Sequence, residues 1–213
     1  MKRVVFCDFD GTITVDETFV SMLKHFTPEL FDKLAPEMYA LRLSLKDGVR
    51  QLLESIPSRQ YPKILDFVRS KSIRAGFVEF LDFLESRKIP FVLVSGGLRG
   101  MIETALGPLV KRFQAVYATD LDISGEYLKV QSKYEGETEV IAKVKVMALY
   151  NPEESVVIGD GVTDLNIALK ASLVFARDNL IKYLDERKQP YIAWDTFFDI
   201  RDYLANHWQA SQP

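Results

Sequence analysis

Two carboxylates follow the first apolar run of the chain and could carry out phosphoryl chemistry. Asp8 and Asp10 stand two residues apart at the end of this run, and Gly11 comes directly after them. A carboxylate can attack phosphorus and hold the phosphoryl group as an aspartyl phosphate. A second carboxyl nearby can protonate the leaving oxygen and then activate water. The spacing therefore favours phosphoryl transfer, although Asp-x-Asp-Gly also occurs as an ordinary polar turn after a strand.

Two later apolar runs also end in polar groups that suit a phosphate. Ser95 and Gly96 follow one run, and Asp160 follows another. A hydroxyl and free backbone N–H groups at a helix start attract anions, although a serine there is also a common N-cap. Asp8, Asp10 and Asp160 offer the hard oxygen ligands that Mg²⁺ takes together with a phosphate. The sequence therefore predicts a magnesium-assisted phosphate site.

Strand-like and helix-like segments alternate along most of the chain. Strands are predicted at residues 4–9, 90–95, 113–118, 155–159 and 173–176. Helices are predicted at residues 77–87, 98–106, about 140–150, 163–171 and 179–187. This alternation predicts an α/β fold, with a Rossmann-like parallel sheet and helices on both faces. Because ligands of such sheets bind beyond the carboxyl ends of the strands, the candidate side chains should meet at one edge.

One long segment interrupts this alternation. Residues 15–75 contain no convincing strand, and their apolar residues recur at helical spacing. We interpret them as a small helical insert after the first strand, which leaves residues 1–14 and 76–213 as the core. A second, polar excursion at residues 121–137 is predicted to be a hairpin that turns at 124–126.

Composition is that of an ordinary globular protein. The chain has 213 residues, 47% of them hydrophobic, and a formal net charge of -3. The charge gives no indication of nucleic-acid binding, and no apolar run is long enough to cross a membrane. The single cysteine excludes an internal disulfide and favours a reducing cytoplasm. The sequence makes no prediction of oligomeric state.

Four ordered motifs resemble those of the haloacid dehalogenase superfamily. They are the stretch 8–12, Ser95, a lysine upstream of Asp160, and the stretch 159–164. The resemblance implies a phosphatase that uses Mg²⁺ and acts on a small phosphorylated metabolite. It also implies that the insert is a cap that closes over the substrate.

The resemblance also assigns roles to individual residues. Asp8 would be the nucleophile, and Asp10 would bind Mg²⁺ through its backbone carbonyl while its side chain transfers protons. Thr12 and Asp164 would support the site, with Asp164 holding the lysine or an outer-shell water. Lys143 and Lys145 both lie at suitable positions. We favour Lys143, because it would share a helix face with residues 147 and 150.

The chain resembles two phosphatase subfamilies, and each resemblance implies a different substrate. The chain resembles most the methionine-salvage phosphatases that act on 2-hydroxy-3-keto-5-methylthiopentenyl 1-phosphate, although it lacks a cysteine-rich segment of that subfamily. In the rival, phosphoserine phosphatase, a cap glutamate and arginine bind the amino acid end of the substrate, and Glu17 and Arg50 match them. Both residues could instead be solvated helix charges. A phosphatase of another small metabolite, a phosphomutase, or a slowly hydrolysing phospho-accepting regulator also fits the motifs.

Overall fold

The computed structural model describes residues 2–40 and 42–210, and within them one sheet organises the core. Its strands are β1 (Arg3–Cys7), β2 (Phe91–Leu98), β3 (Ala115–Asp122), β4 (Lys129–Gln131), β5 (Glu154–Gly159), β6 (Leu173–Ala176) and β7 (Ile192–Ala193). Their order in the sheet is β4-β3-β2-β1-β5-β6-β7. All neighbouring pairs are parallel except β3 and β4. The predicted fold class is confirmed. The sheet edges are β4, which falls in the hairpin predicted at residues 121–137, and β7, which was not predicted.

Helices occupy the insert and both faces of the sheet. They are α1 (Thr18–Phe26), α2 (Pro28–Tyr39), α3 (Leu45–Glu54), α4 (Tyr61–Val68), α5 (Phe77–Ser86), α6 (Arg99–Leu106), α7 (Lys143–Tyr150), α8 (Leu165–Ala168), α9 (Asp178–Glu186) and α10 (Phe197–Ala210). Short 3₁₀ segments lie at Ser58–Gln60, Gly107–Arg112 and Val162–Asp164. A search of the described helices finds none with the length and apolar character needed to cross a membrane.

The central strand β1 has a buried side chain on each face of the sheet. Val5 and Cys7 belong to the apolar cluster that includes residues of α5 and α10. Val4 and Phe6 belong to a second cluster, with residues of α7, α8 and α9. This alternation follows from the two-residue period of a strand. It also explains why β1 reads as an unbroken apolar run, since both of its faces are covered.

The helical insert has an apolar cluster that it shares with the core. The cluster contains side chains of α1 to α4 together with Leu98, Met101, Leu128 and Val130. Backbone bonds also join the insert to the β3–β4 hairpin: Leu128 N donates to Ile56 O at 3.0 Å, and Ser58 N donates to Glu126 O at 2.9 Å. The hairpin predicted at 121–137 is therefore present, and it supports the insert.

The chain enters and leaves the insert side by side. Thr14 and Ile73 form an antiparallel bridge. Val15 N donates to Ser72 O at 3.0 Å, and Arg74 N donates to Ile13 O at 2.8 Å. The two connections thus form a short ribbon directly after the first motif.

Candidate active site

The predicted site residues gather at the carboxyl ends of three neighbouring strands. Asp8 follows β1, Asp160 follows β5, and Ser95 lies within β2. Cys7 pairs with Ile158 in the parallel register, so the two strands end at the same level. Asp8, Asp160 and Ser95 are all buried. Strand order therefore explains how Asp8 and Asp160, 152 positions apart in the sequence, come together.

Lys143 lies between two of the carboxylates. Its Nζ donates to Asp8 Oδ1 at 2.5 Å and to Asp164 Oδ1 at 2.6 Å, and the residue is 3% exposed. Burial alone would lower the pKa of its ammonium group, but the ion pairs with Asp164 and Asp8 raise that pKa above its usual value. Lys145 is exposed and donates to the Glu135 carbonyl oxygen at 2.8 Å. The structure therefore places Lys143, and not Lys145, against Asp8.

The carboxylates outnumber the cations at this position. Asp8, Asp160 and Asp164 each offer an oxygen, and these three oxygens lie within 4.8 Å of one another. Burial raises the pKa of the Asp8 carboxyl, and Asp164 raises it further against the opposing charge of Lys143. Burial, followed by the charge of Asp8, also raises the pKa of Asp160. A divalent cation would offset this repulsion, so the donor set fits Mg²⁺.

Hydrogen bonds distinguish the carboxylates that could hold a metal. Asp164 Oδ1 accepts from Lys143, while Oδ2 accepts from the backbone N–H groups of Asp160 at 3.0 Å and Gly161 at 3.1 Å. Asp160 Oδ1 accepts from Thr12 Oγ1 at 2.9 Å. Because protein donors already occupy both oxygens of Asp164, Asp8 and Asp160 are the better metal ligands. Asp164 instead orients Lys143 and the loop after β5, and Thr12 orients Asp160.

Gly11 allows the first motif to approach Asp160. Its φ is +77°, a conformation that side-chain-bearing residues rarely adopt. A Cβ atom at this position would also collide with the Asp160 carboxylate. Two independent reasons therefore require a glycine at position 11: the positive φ angle, and the lack of space for a side chain beside Asp160.

The Asp10 side chain points to the start of the insert. Its oxygens accept from Thr18 N at 2.5 Å, from Thr18 Oγ1, and from Phe19 N at 2.9 Å. Asp10 thus supplies acceptors for free N–H groups at the first turn of α1. Burial raises the pKa of Asp10 to about 6, although the bonds from Thr18 and Phe19 act in the opposite direction. Its carboxylate is separate from the cluster around Lys143.

Ser95 and Gly96 form a small polar wall beside this edge. Ser95 Oγ accepts from Gly97 N at 3.0 Å, and Gly96 O accepts from Thr119 Oγ1 at 2.9 Å. The Ser95 hydroxyl proton is not used in the first of these bonds. A Cβ atom on Gly97 would lie 3.8 Å from Phe19 Cβ, so α1 of the insert passes directly over this wall.

Glu17 and Arg50 lie in different surroundings. Glu17 is exposed and, with Gly11 and Asp160, lines a cavity of about 450 Å³. Arg50 donates to Glu54 Oε1 at 3.4 Å, to the Val130 carbonyl at 3.3 Å and to Glu135. The structure brings neither residue into contact with Asp8, and their roles in substrate binding stay predictions.

Sequence reasoning did not select three further residues of that cavity. Asp178, Asn179 and Lys182 also line it, and all three belong to α9. Lys182 Nζ donates to Asn179 Oδ1 at 3.0 Å. Their position directly after a predicted strand, now β6, could have identified them, because it places them at the same sheet edge as Asp160.

Several known proteins are similar to this chain. The 2-hydroxy-3-keto-5-methylthiopentenyl-1-phosphate phosphatase of Microcystis aeruginosa (strain NIES-843 / IAM M-2473) is 54% identical over 96% of this chain and 98% of its own length. The phosphatase of the same name from Geobacillus thermodenitrificans (strain NG80-2) is 34% identical over 96% and 97%. Among solved structures, a phospho-aspartyl intermediate analogue of phosphoserine phosphatase superposes with a TM-score of 0.68. It has 22% identity and covers 95% of this chain and 98% of its own.

A family profile also matches most of the chain. The profile of the haloacid dehalogenase-like hydrolases covers residues 5–169, which include most of the first strand, the insert and all four sequence motifs. Together with the relative at 54% identity, this match confirms the predicted resemblance. The chain belongs to the haloacid dehalogenase-like hydrolase family.

Proposed function

We propose that this protein is a Mg²⁺-dependent phosphomonoester hydrolase that forms an aspartyl phosphate on Asp8. The observation that carries the proposal is the placement of Lys143 between Asp8 and Asp164, beside Asp160. The charge of Lys143 opposes the rise in the Asp8 pKa that burial causes, and so favours the ionised, nucleophilic carboxylate. Lys143 also places a positive charge where a phosphoryl group would gain negative charge.

Each residue then has a defined task in two half-reactions. Asp8 attacks phosphorus in line with the leaving oxygen. Lys143 and the Ser95 hydroxyl stabilise the charge on the equatorial oxygens. Mg²⁺, held by Asp8 and Asp160, would supply further charge neutralisation when bound. Water then hydrolyses the aspartyl phosphate and regenerates Asp8.

Asp10 is suited to transfer the proton in both half-reactions. General acid–base catalysis is most efficient when the pKa of the group lies near the working pH. The Asp10 pKa of about 6 meets this condition. We propose that Asp10 protonates the leaving oxygen and then removes a proton from the attacking water.

We propose that residues 15–75 act as a cap over this site. Phe19 of α1 lies over Gly97, and Asp10 holds the first turn of the same helix. Exclusion of water by such a cover would strengthen the electrostatic interactions of Lys143. Because the insert also packs on the β3–β4 hairpin, the hairpin is part of the cover.

For the substrate, we propose 2-hydroxy-3-keto-5-methylthiopentenyl 1-phosphate. The support is the 54% identity to a phosphatase of that name over nearly the whole of both chains. The apolar side chain of Phe19 beside Ser95 and Gly97 also suits a methylthio tail. Phosphoserine is the second candidate, favoured by the phosphoserine phosphatase fold and by the Glu17 carboxylate in the cavity.

The surroundings of Arg50 argue against phosphoserine. The substrate carboxylate would need a cation, but the Arg50 guanidinium already bonds Glu54, Glu135 and a backbone carbonyl. An unpaired buried polar group costs about 1 to 3 kcal/mol, which corresponds to a loss of roughly 5- to 150-fold in specificity.

The substrate can be tested by comparing catalytic efficiencies. We expect kcat/KM for the methylthiopentenyl phosphate to exceed that for phosphoserine by at least about tenfold at saturating Mg²⁺. Glu17→Gln serves as an internal probe, since it should change both values equally if Glu17 does not bind an ammonium group. A preference for phosphoserine that Glu17→Gln removes would reverse the assignment. Absence of turnover of both metabolites and of p-nitrophenyl phosphate would reject a phosphatase altogether.

The metal can be tested both by its effect on activity and by its effect on thermal stability. Asp160→Asn should raise the Mg²⁺ concentration for half-maximal activity by at least about tenfold, because one of two carboxylate ligands loses its charge. In the parent protein, Mg²⁺ at a hundredfold excess over Kd should stabilise the fold by about 2.7 kcal/mol. Asp160→Asn should lose most of this thermal shift.

A matched control for the metal test lies in the same cavity. Asp178 is exposed, pairs only with Arg177 among described residues, and has a φ of +46°, which asparagine tolerates well. Asp178→Asn should leave both the Mg²⁺ requirement and the thermal shift unchanged. Equal effects of the two substitutions would mean that general negative charge, and not a ligand set around Asp160, binds the metal.

A further inference from the structure

Arg74 is a buried arginine at the point where the insert rejoins the core. It is 8% exposed. Its Nε donates to Thr12 O at 2.8 Å, and its Nη2 donates to Gly11 O at 2.7 Å. All of the hydrogen bonds of its side chain within residues 2–40 and 42–210 go to backbone carbonyls, those of Gly11, Thr12, Thr14, Val15 and Asp195.

This pattern is unusual for a buried cation. A buried charge is costly unless it is paired or fully hydrogen-bonded, and guanidinium groups usually meet carboxylates in two parallel bonds. No carboxylate in the described part of the chain bonds Arg74. Four of its five side-chain bonds instead hold one loop, residues 11–15, and the fifth goes to Asp195 O.

The loop 11–15 positions both Asp160 and Asp10 of the proposed site. Its first residues approach Asp160: Gly11 packs against the carboxylate, and Thr12 Oγ1 bonds it at 2.9 Å. Asp10 directly precedes the loop, and the loop leads into α1, whose first turn Asp10 holds. A shift of the carbonyls of Gly11 and Thr12 would therefore move Asp160 and Asp10 relative to Asp8.

We propose that Arg74 is a positioning residue that locks the loop 11–15 between the cap connection and the acidic cluster. Its own backbone N–H bonds Ile13 O at 2.8 Å, so the residue holds the loop from both its main chain and its side chain. The insert and the proton-transferring and metal-binding carboxylates thus share one anchor. This role rests on the proposed phosphatase function.

Arg177 provides a matched control. The Cζ atoms of Arg74 and Arg177 lie 5.4 Å and 5.2 Å from the centre of the Trp194 ring, and both side chains donate to the Asp195 carbonyl. Arg177 makes no bond to the loop 11–15; its Nε bonds Asp178. Arg177→Met therefore removes a similar guanidinium from the same neighbourhood without releasing the loop.

The test compares Arg74→Met, Arg74→Lys and Arg177→Met at saturating Mg²⁺, well below their melting temperatures. For p-nitrophenyl phosphate, Arg74→Met should lower kcat by roughly ten- to a hundredfold, the usual effect of misplaced catalytic groups. KM should change by less than about threefold, because Lys143 and Ser95 still meet the phosphate. Arg74→Lys keeps a charge and some donors, so its kcat should lie between those of Arg74→Met and the parent.

Hydrogen exchange supplies a readout that does not depend on turnover. The amides of Ile13 and Thr14 bond Phe9 O, and that of Val15 bonds Ser72 O. In Arg74→Met and Arg74→Lys these three amides should exchange faster, while amides in β5 keep their protection. Arg177→Met should match the parent in both exchange and kcat.

The outcomes separate the possible explanations. A lower melting temperature with unchanged kcat in the folded protein would make Arg74 only a structural residue and overturn the proposal. Equal losses in Arg74→Met and Arg177→Met would also overturn it. If Arg74→Met does not fold, Arg74→Lys is used instead. Unchanged kcat and unchanged amide exchange in Arg74→Lys would overturn the proposal. A parent protein that hydrolyses neither p-nitrophenyl phosphate nor the two candidate metabolites would instead reject the phosphatase function, and the exchange data would still test the anchor.

Discussion

Replacing Asp8 with asparagine should abolish turnover while leaving the fold intact. An amide does not form the aspartyl phosphate, so kcat for p-nitrophenyl phosphate should fall by at least about 10⁴-fold, as when other catalytic side chains are removed. The fold should tolerate the change because burial already penalises the ionised carboxylate. Lys143 also keeps its bond to Asp164 Oδ1.

The measurement has two parts and a nearby control. Steady-state turnover gives the loss of rate, and mass spectrometry after acid quenching shows whether one phosphoryl group becomes attached to the parent protein but not to Asp8→Asn. Asp16→Asn changes an exposed aspartate of the same loop region and should behave like the parent. Residual activity of Asp8→Asn within about tenfold of the parent, too high for a lost nucleophile, would require another nucleophile.

The position of the acidic cluster could be predicted from local patterns alone. Asp8 and Asp160 each end an apolar run, and the runs are β1 and β5, adjacent parallel strands. Because both faces of a central parallel strand are covered, its carboxyl end is where polar groups can first appear. The convergence of these residues therefore required only the correct fold class.

The choice between Lys143 and Lys145 depended on one helix boundary. The structure begins α7 at Lys143, and Lys143 and Met147 are both buried, four residues apart on one face. Lys145 lies on the exposed side, as the period of 3.6 residues requires. Helical periodicity therefore favoured the lysine that the structure places against Asp8, although α7 begins later than the predicted residue 140.

Contacts between distant segments could not be predicted in the same way. The sequence predicted Arg50 to be a substrate-binding arginine, but its partners are Val130 of β4 and Glu135 shortly after β4, 80 and 85 residues later. The pairing depends on how the insert packs against the β3–β4 hairpin. No local pattern in either segment indicates it.

Hydrogen bonds from side chains to backbone groups could not be predicted from the sequence either. Asp164 turns back to the N–H groups of Asp160 and Gly161, and the segment from Val162 begins as a 3₁₀ turn instead of the helix predicted from residue 163. Arg74 bonds only carbonyls, which every residue has, so no complementary charge in the sequence marks its partners.

Replacing Lys143 with methionine should have the second largest effect, on both rate and stability. Loss of its charge beside the phosphoryl group should lower kcat by roughly 10²- to 10³-fold. It also leaves Asp8 and Asp164 buried without their cation, which costs about 3 to 5 kcal/mol of unfolding free energy. Lys145→Met removes an exposed lysine of the same helix and should leave both quantities nearly unchanged.

A double substitution separates the two effects of Lys143→Met. Asp164 Oδ1 accepts from Lys143, so adding Asp164→Asn removes one of the two unpaired buried charges. Lys143→Met/Asp164→Asn should therefore unfold at a higher denaturant concentration than Lys143→Met, while remaining as inactive, because the cation beside Asp8 is still missing. Denaturant unfolding and p-nitrophenyl phosphate turnover measure the two properties. Recovery of activity along with stability would mean that Lys143 acts only by holding the fold, and a larger loss of kcat in Lys145→Met would reassign the catalytic lysine.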